Sequence, residues 1–413
     1  MKAALVSIGD ELLTGFITNT NAAFLAQGLT QAGLSVTTIL TVADQGDSIV
    51  QGLAQAAQGV DWVIVTGGLG PTSDDITKRV VANYFGRTLV RDPQVMAAVE
   101  ARFKAFGSAV TPSNLSQAEV IQGAEVLPNR HGTAPGLVVD HQGVRFVFLP
   151  GVPHEMKPLF QDEVLPRILH AMEGQARVAY RVLRTVGEGE SRLYEKLTDF
   201  DVQCPHCTLA YLPQRSGVQL RMGASGASDA EAQSRLDQAE AFLRGRLGAC
   251  VIGTEDETLE VLVGALLKKR GQTLAVAESC TGGLVSDLVT NVPGSSDYHL
   301  GGVVAYANAV KMGLLSVPET TLLTHGAVSA ETAEAMARGV RLALKADWGV
   351  ATTGIAGPDG GTEEKPVGLV YVACANADSC RVVRHRLSID RLSNKHRFAQ
   401  AALNLLRLRL LEP

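Results

Sequence analysis

The sequence predicts an α/β chain of three domains, in which two strand–helix alternating, parallel-type sheets are joined by a small α+β module. Its 413 residues suffice for two or three domains of ordinary size. Hydrophobic residues make up 46% of the chain and charged residues 19%, which excludes a disordered or charge-dominated protein. Apolar runs alternate with helical patterns in two stretches, as expected of βαβ units. We expect the domains to span 1–168, 169–250 and 251–413.

The first domain begins with a strand and then alternates. Short apolar runs that end at turn signals predict strands at 3–8, 36–42, 62–66 and 144–149. Caps of Asn, Thr or Asp, with glycine stops after the first and last, predict helices at 19–32, 47–58 and 74–85. Asp92-Pro93 predicts a further helix, because an N-cap is followed by proline at the first helical position.

The other two domains differ in their patterns. Strands at 179–186 and 217–222 with helices at 191–200 and 228–247 predict the small α+β module. Thr254 and Glu257 then have the spacing of a capping box and open the next helix. After them the alternation resumes, with strands at 273–277, 303–306, 348–353, 367–374 and 381–387, and helices from 284 to 290, 330–344 and 394–411.

Charge, hydropathy and cysteine usage exclude several classes of protein. The net charge of −5 argues against a general nucleic-acid binder. No run approaches ~18 uncharged apolar residues, and carboxylates occur at Asp10 and Glu11, too early for a signal peptide, so we expect a cytoplasmic protein without a membrane segment. Cys204-Pro205-His206-Cys207 precedes a strand-like run rather than a helix. We therefore interpret these thiols as incidental, with metal or redox use as the minor alternative.

Acidic and glycine-rich segments follow the strands of the first domain. They contain Asp10, Asp44 and the stretch from Gly67 to Asp75, and the carboxyl ends of parallel strands are where such folds bind ligands. Glycines let backbone N–H groups approach an anion, and Asp74 with Asp75 could hold a divalent cation that bridges to a diphosphate. The simpler alternative for each carboxylate is a helix cap. Neither dinucleotide nor P-loop glycine motif occurs, which excludes those two classes.

The third domain contains a candidate nucleophile. Ser279 lies at a predicted strand-to-helix turn between small residues, where a hydroxyl and backbone N–H groups point to one place. The alternative is a serine that only caps the helix. No Ser-His-Asp set is evident, so Lys311, five residues after Tyr306, is the candidate base, with a solvated lysine as its alternative. Thr353 and Arg397 could hold phosphate or polar substrate groups, and the alternative for Arg397 is an exposed helix charge.

Over essentially its whole length the sequence resembles the CinA family (competence/damage-inducible protein A). The motifs that carry the resemblance are Ser7 to Leu13, Thr66 to Thr72 with Asp74-Asp75, Gly132 to Gly136, Leu149 to Pro153 with Glu155, Ala277 to Gly283, Val292 to Ser296 and Thr353 to Pro358. One departure is Ser116, where the family often has lysine. A positive charge that could meet a phosphate is therefore absent from that position.

The resemblance implies two hydrolytic activities of pyridine nucleotide recycling. The first domain resembles the molybdopterin-binding fold of MoaB and MogA, and in this family is associated with cleavage of ADP-ribose to AMP and ribose 5-phosphate with Mg, Mn or Co. The alternative is a pterin- or nucleotide-binding module without turnover. The last domain resembles nicotinamide-nucleotide amidohydrolases, which convert nicotinamide mononucleotide to nicotinic acid mononucleotide and ammonia without a cofactor. Family members are typically homodimers.

The middle module resembles a KH-type domain. KH domains grip nucleic-acid phosphates with a G-x-x-G loop, but here Gly187-Glu188-Gly189-Glu190 breaks that pattern and is acidic, which argues against a nucleic-acid partner.

From the residues and the resemblance together we predict four sets of site residues. The catalytic set is Ser279, Lys311, Tyr306 and Thr353. Substrate contacts in the last domain are expected from Glu278, Thr281, Gly282, Gly283, Gly354, Gly357 and Arg397. Substrate contacts in the first domain are expected from Gly67, Gly68, Gly70, Thr72 and Glu155. The metal ligands are expected among Asp10, Asp44, Asp74 and Asp75.

Overall fold

A computed structural model of the chain describes residues 1–70, 75–105, 114, 116–173, 177–214, 217–254, 257–387 and 390–412. Thr72 and Asp74 of the predicted site lie outside these ranges. The chain forms two compact units, one of residues 1–180 with 224–234, the other of residues 181–223 with 235–413. No helix in the described ranges is long and apolar enough to cross a membrane.

The first unit contains a six-stranded sheet of order β2-β1-β3-β8-β7-β6 and a two-stranded antiparallel sheet of β4 and β5. The strands are β1 (Lys2–Ile8), β2 (Ser35–Val42), β3 (Trp62–Thr66), β4 (Leu89–Arg91), β5 (Glu119–Ile121), β6 (Glu125–Leu127), β7 (Gly136–His141) and β8 (Val144–Leu149). β2, β1, β3 and β8 are parallel, which confirms the four predicted strands. Their carboxyl ends therefore lie at one edge of the sheet.

The other side of this sheet is antiparallel, which the sequence analysis did not predict. β7 pairs antiparallel with β8, and β6 pairs antiparallel with β7. The reason is a two-residue turn between β7 and β8, in which Gln142 and Gly143 have φ of 49° and 82°. Two consecutive positive φ values give the hairpin turn whose twist matches that of the flanking strands.

The helices of this unit are α1 (Asp10–Leu13), α2 (Thr20–Gln31), α3 (Gly46–Ala56), α4 (Thr77–Tyr84), α5 (Pro93–Ala105), α6 (Pro153–Leu159) and α7 (Leu165–Ala171). Two predicted caps are confirmed, because Asn19 accepts a hydrogen bond from the Ala22 N–H (3.0 Å) and Asp92 accepts one from the Val95 N–H (3.0 Å). Asp47 is not a cap and lies in the first turn of α3.

Side chains alternate across β1 and so build a core on each face of the sheet. Ala4, Val6 and Ile8 belong to one core, whereas Ala3 and Leu5 belong to the other. In the first core, the rings of Phe85, Phe146 and Phe148 pack together with centroids 5.0–6.5 Å apart. Both faces are thus covered, as is usual for a sheet built from parallel strands.

The middle module contains the strands β9 (Arg177–Thr185), β10 (Cys207–Gln214), β11 (Gly217–Gly226) and β12 (Val251–Thr254), in the order β10-β11-β9-β12. Its helices are α8 (Glu190–Lys196), α9 (Phe200–Gln203) and α10 (Asp229–Leu247). Residues 251–254, which we assigned to the third domain and did not predict as a strand, form β12 and pair with β9 in this sheet. A strand does begin at Cys207, and burial raises the pKa of both the Cys204 and the Cys207 thiols.

The second unit also contains a five-stranded sheet of order β14-β13-β15-β16-β17. The strands are β13 (Leu274–Glu278), β14 (His299–Val304), β15 (Trp348–Gly354), β16 (Leu369–Ala375) and β17 (Cys380–Arg386). β14, β13 and β15 are parallel, while β16 and β17 are antiparallel. As in the first unit, parallel strands carry the predicted site loops and antiparallel strands complete the sheet.

The helices of this part are α11 (Leu259–Arg270), α12 (Leu284–Thr290), α13 (Asn308–Leu315), α14 (Glu319–His325), α15 (Ala330–Ala343) and α16 (Arg391–Leu411). One core contains Leu274 and Val276, and the other contains Ala275 and Ala277. The small residues let α15 approach closely, since a Cβ on Gly349 would lie 2.1 Å from the Ala337 carbonyl oxygen.

Truncation of a phenylalanine in the first unit should lower the free energy of unfolding strongly where the ring is buried and hardly at all where it is exposed. Phe146 is 1% exposed and Phe16 is 90% exposed. We expect Phe146→Ala to lower the free energy of unfolding by about 3–5 kcal/mol, because a buried ring is replaced by a cavity. Phe16→Ala, the control, should change it by less than about 0.5 kcal/mol. Urea unfolding of the full chain measures both, and equal effects would contradict the assigned core.

Candidate active site

Ser279 lies at the carboxyl end of β13, in the turn that leads into α12. Its backbone N–H donates to the Thr352 carbonyl of the neighbouring parallel strand (3.0 Å), which fixes where the turn starts. Gly282 and Gly283 have φ of 64° and 100°, a conformation that L side chains rarely adopt. Cys280, the adjacent thiol, is not a competing nucleophile, because burial raises its pKa to about 12.

The Glu278 carboxylate holds this turn in shape. Its two oxygens accept hydrogen bonds from the backbone N–H groups of Gly283 (2.9 Å), Val285 (3.0 Å) and Ser286 (2.9 Å), and the side chain is buried. A carboxylate here also lies at the positive end of α12. The predicted substrate contact through Glu278 is therefore replaced by a positioning role, since both of its oxygens are already occupied.

Lys311 reaches the serine from α13. Its Nζ lies 3.3 Å from Ser279 Oγ and donates to the carbonyls of Ala305 (2.8 Å) and Tyr306 (3.1 Å). The residue is 1% exposed, and burial lowers the pKa of its ammonium below 10.5. Among the described residues no carboxylate forms an ion pair with Lys311, so nothing opposes that shift strongly. The structure thus brings the predicted Ser279 and Lys311 side chains within hydrogen-bonding distance.

Two other predicted catalytic side chains are placed differently from Lys311. The Tyr306 ring is 65% exposed, and the residue contacts Lys311 through its backbone carbonyl. The buried Thr353 hydroxyl donates to the Ala327 carbonyl (2.6 Å). Thr352, which the sequence analysis missed, shares a hydrogen bond with the predicted Thr281 (2.7 Å between Oγ1 atoms). Pairing of β13 with β15 places Thr352 opposite Glu278, so correct strand register is the signal that would have found it.

A cationic side chain lies beside the Ser279 turn, but it is not the predicted Arg397. An open pocket of about 380 Å³ is formed by Thr281, Gly282, Gly283, Leu284, Asp287, Leu392 and Lys395. A methyl group on Gly282 would lie 3.5 Å from Lys395 Nζ. Arg397 is exposed and does not line this pocket, because two helical residues turn its direction by about 200° from that of Lys395.

The Gly354–Gly357 loop at the end of β15 is tied to the start of α16. Asn394 donates to the Ala356 carbonyl (3.0 Å) and Arg391 donates to the Gly357 carbonyl (2.5 Å). A Cβ on Gly354 would lie 2.6 Å from the Leu369 carbonyl oxygen, so this glycine allows close packing of backbones. The helix that carries Lys395 is thereby fixed to the second glycine loop.

In the first unit, the predicted acidic and glycine residues meet at the carboxyl edge of the sheet. Asp10 accepts a hydrogen bond from the Asp44 N–H (3.1 Å), and Gly67 donates to the Leu149 carbonyl (3.2 Å). A Cβ on Gly68 would lie 2.0 Å from Thr77 Oγ1 and 3.4 Å from Asp44 Oδ1. Asp10, Asp44, Gly67 and Gly68 therefore belong to one loop cluster, as the strand order predicts.

The remaining predicted residues of this edge have partners of their own. Asp75 packs on Gly70, where a Cβ would lie 2.5 Å from Asp75 Oδ2. Glu155 accepts a hydrogen bond from Asn129 (2.8 Å). In the described ranges no three His, Cys, Asp or Glu residues lie close enough to hold a metal ion, and Asp74 is outside them. The described carboxylates do not by themselves form the predicted metal site, and we derive no step through a metal.

Lys78 is a buried cation that the sequence analysis missed. Its ammonium donates to the carbonyls of Ser116 (2.6 Å) and Glu119 (3.2 Å). Burial lowers the pKa of Lys78 to about 8, against the opposing charges of Glu119 and Asp75. A positive charge thus reaches the Ser116 segment from α4, although position 116 itself carries none.

Comparison with known proteins gives the class of each part of the chain. Residues 4–170 match a probable molybdopterin binding domain, residues 180–253 the damage-inducible protein CinA KH domain, and residues 256–410 the CinA C-terminal domain. The chain is thus a three-domain α/β protein with a probable molybdopterin binding domain at one end and a KH-type module in the middle.

The full-length relatives settle the family. The chain is 47% identical over 405 residues to a CinA-like protein of Salinibacter ruber, covering 98% of each chain. It is 42% identical over 412 residues to a putative competence-damage inducible protein of Caldicellulosiruptor bescii, covering 100% of each. The solved CinA structure from Thermoplasma acidophilum is 36% identical, with a TM-score of 0.38, and is matched over 40% of this chain and 97% of its own. The chain belongs to the CinA family.

Removal of the charge from Glu278 should loosen the Ser279 turn. Glu278→Gln keeps the size of the side chain but replaces one carboxylate oxygen with an NH₂ group. A backbone N–H that donates to Glu278 in the wild type then faces a donor and loses its hydrogen bond. We expect a loss of about 1–3 kcal/mol in the free energy of unfolding. We also expect faster hydrogen exchange in the peptide covering residues 279–290, measured by mass spectrometry. Glu195→Gln, at an exposed position of α8, is the control; unchanged exchange in Glu278→Gln would contradict the positioning role.

Proposed function

We propose that the C-terminal domain hydrolyses the carboxamide of nicotinamide mononucleotide to nicotinic acid mononucleotide and ammonia. The observation that carries this proposal is the 3.3 Å separation of Lys311 Nζ from Ser279 Oγ, with the lysine buried and its pKa lowered. A serine paired with a buried amine is an arrangement for acyl transfer at neutral to alkaline pH. The choice of a nicotinamide nucleotide rests on the family resemblance of residues 256–410.

In the first half of the reaction Ser279 attacks the carboxamide carbon. Neutral Lys311 takes the hydroxyl proton as the Oγ–C bond forms, and negative charge develops on the carboxamide oxygen. The N–H groups of Thr281 and Gly282 donate to no other described residue and face this oxygen in our proposal. The C–N bond then breaks, Lys311 returns the proton to the leaving nitrogen, and ammonia departs from an acyl-serine.

In the second half water replaces ammonia. Lys311 accepts a proton from the attacking water, the C–Oγ bond breaks, and the proton returns to Ser279. The product acid loses its remaining proton to solvent and leaves as the carboxylate. Lys395 supports the phosphate of the nucleotide, because it is the cation that lines the open pocket beside the Ser279 turn. No cofactor enters this sequence of steps.

Substitution of the pair should abolish ammonia release. We expect Ser279→Ala and Lys311→Met each to lower the rate by more than about 10³-fold, because nucleophile and base act as one unit. In the wild type the rate should rise with pH and level off below pH 10.5, because only the neutral amine accepts a proton and burial lowers the pKa of Lys311. A coupled assay of ammonia across pH measures both effects.

The matched control is Lys269→Met, an exposed lysine of α11. It should keep the wild-type rate and pH profile. Ammonia release by Ser279→Ala at the wild-type rate would refute the nucleophile. Lys395→Met should raise KM for the nucleotide far more than it lowers kcat, whereas the reverse pattern would contradict its assignment to the phosphate.

We also propose that the first domain binds a nucleotide diphosphate at the loop of Gly67, Gly68 and Gly70. Glycines with positive φ at 67 and 68, located where parallel strands end, support an anion site. ADP-ribose as substrate, the divalent metal and the homodimer are implied by the resemblance and stay predictions. The alternative for this domain is binding of a pterin or nucleotide without turnover.

Two glycine variants test this loop. Gly68→Ala should abolish ADP-ribose binding in calorimetry, because its Cβ would meet Thr77 Oγ1 at 2.0 Å. Gly59→Ala is the control, since Gly59 has a similar φ of 68° but open space around it. Equal binding by both variants would contradict the loop. AMP release that stops on chelation would support pyrophosphatase activity, whereas binding without AMP release under any divalent metal would favour the binding module.

A further inference from the structure

A second cavity lies where the KH-type module meets α11, α12 and α16, within the second compact unit. Its volume is about 200 Å³. Five aliphatic side chains form apolar walls, and they are Val186, Val218, Ile252, Leu259 and Leu288. At about 30 Å³ per water molecule, the space equals roughly seven waters, which suits a compact organic molecule rather than a nucleotide.

Two polar groups inside this cavity have no hydrogen-bond partner among the residues that the structure describes. The Thr258 hydroxyl and Glu260 Oε2 are both buried and form no hydrogen bond with any described residue. Gln400 also lines the cavity and is 9% exposed. Thr258 immediately precedes α11, Glu260 lies in its first turn, and Gln400 lies on α16. Buried polar groups are normally satisfied, so the lack of partners at Thr258 and Glu260 points to a missing ligand.

The chemistry of the ligand follows from the charged group of the cavity that has no hydrogen-bond partner among the described residues. Arg184 and His396 line the cavity too, but both already have interaction partners. The unsatisfied charged group is therefore the carboxylate of Glu260, which needs an N–H donor or a cation and opposes an anion. The ligand must combine a small apolar body with such a donor group.

We propose that this cavity binds a small, flat molecule that bears an amidinium or carboxamide group. Its N–H groups donate to Glu260 and Thr258, its polar end contacts Gln400, and its apolar body lies against the aliphatic walls. The cavity is separate from the Ser279 turn but touches the same helices. Leu288 belongs to α12, and Gln400 belongs to the helix that carries Lys395. Occupancy should therefore change KM for the nucleotide, a consequence that rests on the proposed function.

Three isosteric probes test the site on the full chain. Benzamidine, benzamide and benzoate have the same shape and about nine non-hydrogen atoms each, but carry an amidinium, an amide and a carboxylate. In calorimetry we expect benzamidine to bind best, benzamide more weakly and benzoate not at all. Glu260→Gln should weaken benzamidine binding by at least about tenfold, because a charge-assisted hydrogen bond is lost. Gln400→Leu should also weaken it.

The control variants separate this site from the catalytic one. Glu195→Gln should bind benzamidine as the wild type does, and saturating nicotinamide mononucleotide should not displace the probe. Benzoate binding as tight as that of benzamidine, or no effect of Glu260→Gln, would overturn the proposal. A bound probe that leaves KM unchanged would overturn the coupling alone. Because calorimetry does not require turnover, absence of ammonia release would reject the proposed function without deciding the cavity.

Discussion

The interaction on which the candidate active site depends most is the one between the Glu278 carboxylate and the backbone of the following turn. Three N–H groups of Gly283, Val285 and Ser286 converge on two oxygens that water scarcely reaches. In such surroundings an unsatisfied partner is costly, so the turn has one stable conformation. Those donors are withdrawn from any substrate, while the N–H groups of Thr281 and Gly282 donate to no other described residue. The Glu278 carboxylate thus determines which backbone N–H groups of the turn remain available to a substrate.

Lys311 can be buried because its amine, like the Glu278 carboxylate, has hydrogen-bond partners inside the protein. Its Nζ is surrounded by two carbonyl oxygens and the Ser279 hydroxyl, all of which accept hydrogen bonds from a neutral amine as well as from an ammonium. Carbonyl dipoles satisfy the hydrogens without the full negative charge that would hold the proton. A carboxylate in this position would raise the pKa of Lys311 and keep its amine protonated. Among the described residues Lys311 forms no ion pair, and burial therefore lowers the pKa of its ammonium without a carboxylate to oppose the shift.

The sequence predicted those parts of the structure that depend on local pattern. Strand runs, most helix spans and the caps at Asn19 and Asp92 follow from short-range rules. Ser279 was predicted from its turn, and Lys311 was chosen as the base because no Ser-His-Asp set is evident. The antiparallel edge of the first sheet was missed because a turn at Gln142-Gly143, not a periodicity, decides it. Thr352, Lys395 and Lys78 were missed because strand register, helix rotation and burial determine where they point. Glu278 and Thr353 have the predicted location, but hydrogen bonds that no sequence displays occupy their polar atoms.

The glycine-rich edges of the two sheets share a backbone arrangement but carry different side chains. Both sheets place their loops at the ends of parallel strands and complete themselves with antiparallel ones, so both present backbone amides at one edge. In the second unit a buried amine adjoins a hydroxyl there, so the proposed hydrolysis needs only the protein's own groups. In the first unit the described groups at the edge are carboxylates and glycine N–H groups, and the buried amine of Lys78 is directed to carbonyls of another segment. That edge can hold an anion, but its own side chains include no paired nucleophile and base among the described residues. Hydrolysis there would need a hydroxide supplied from outside the side chains, whereas binding would not.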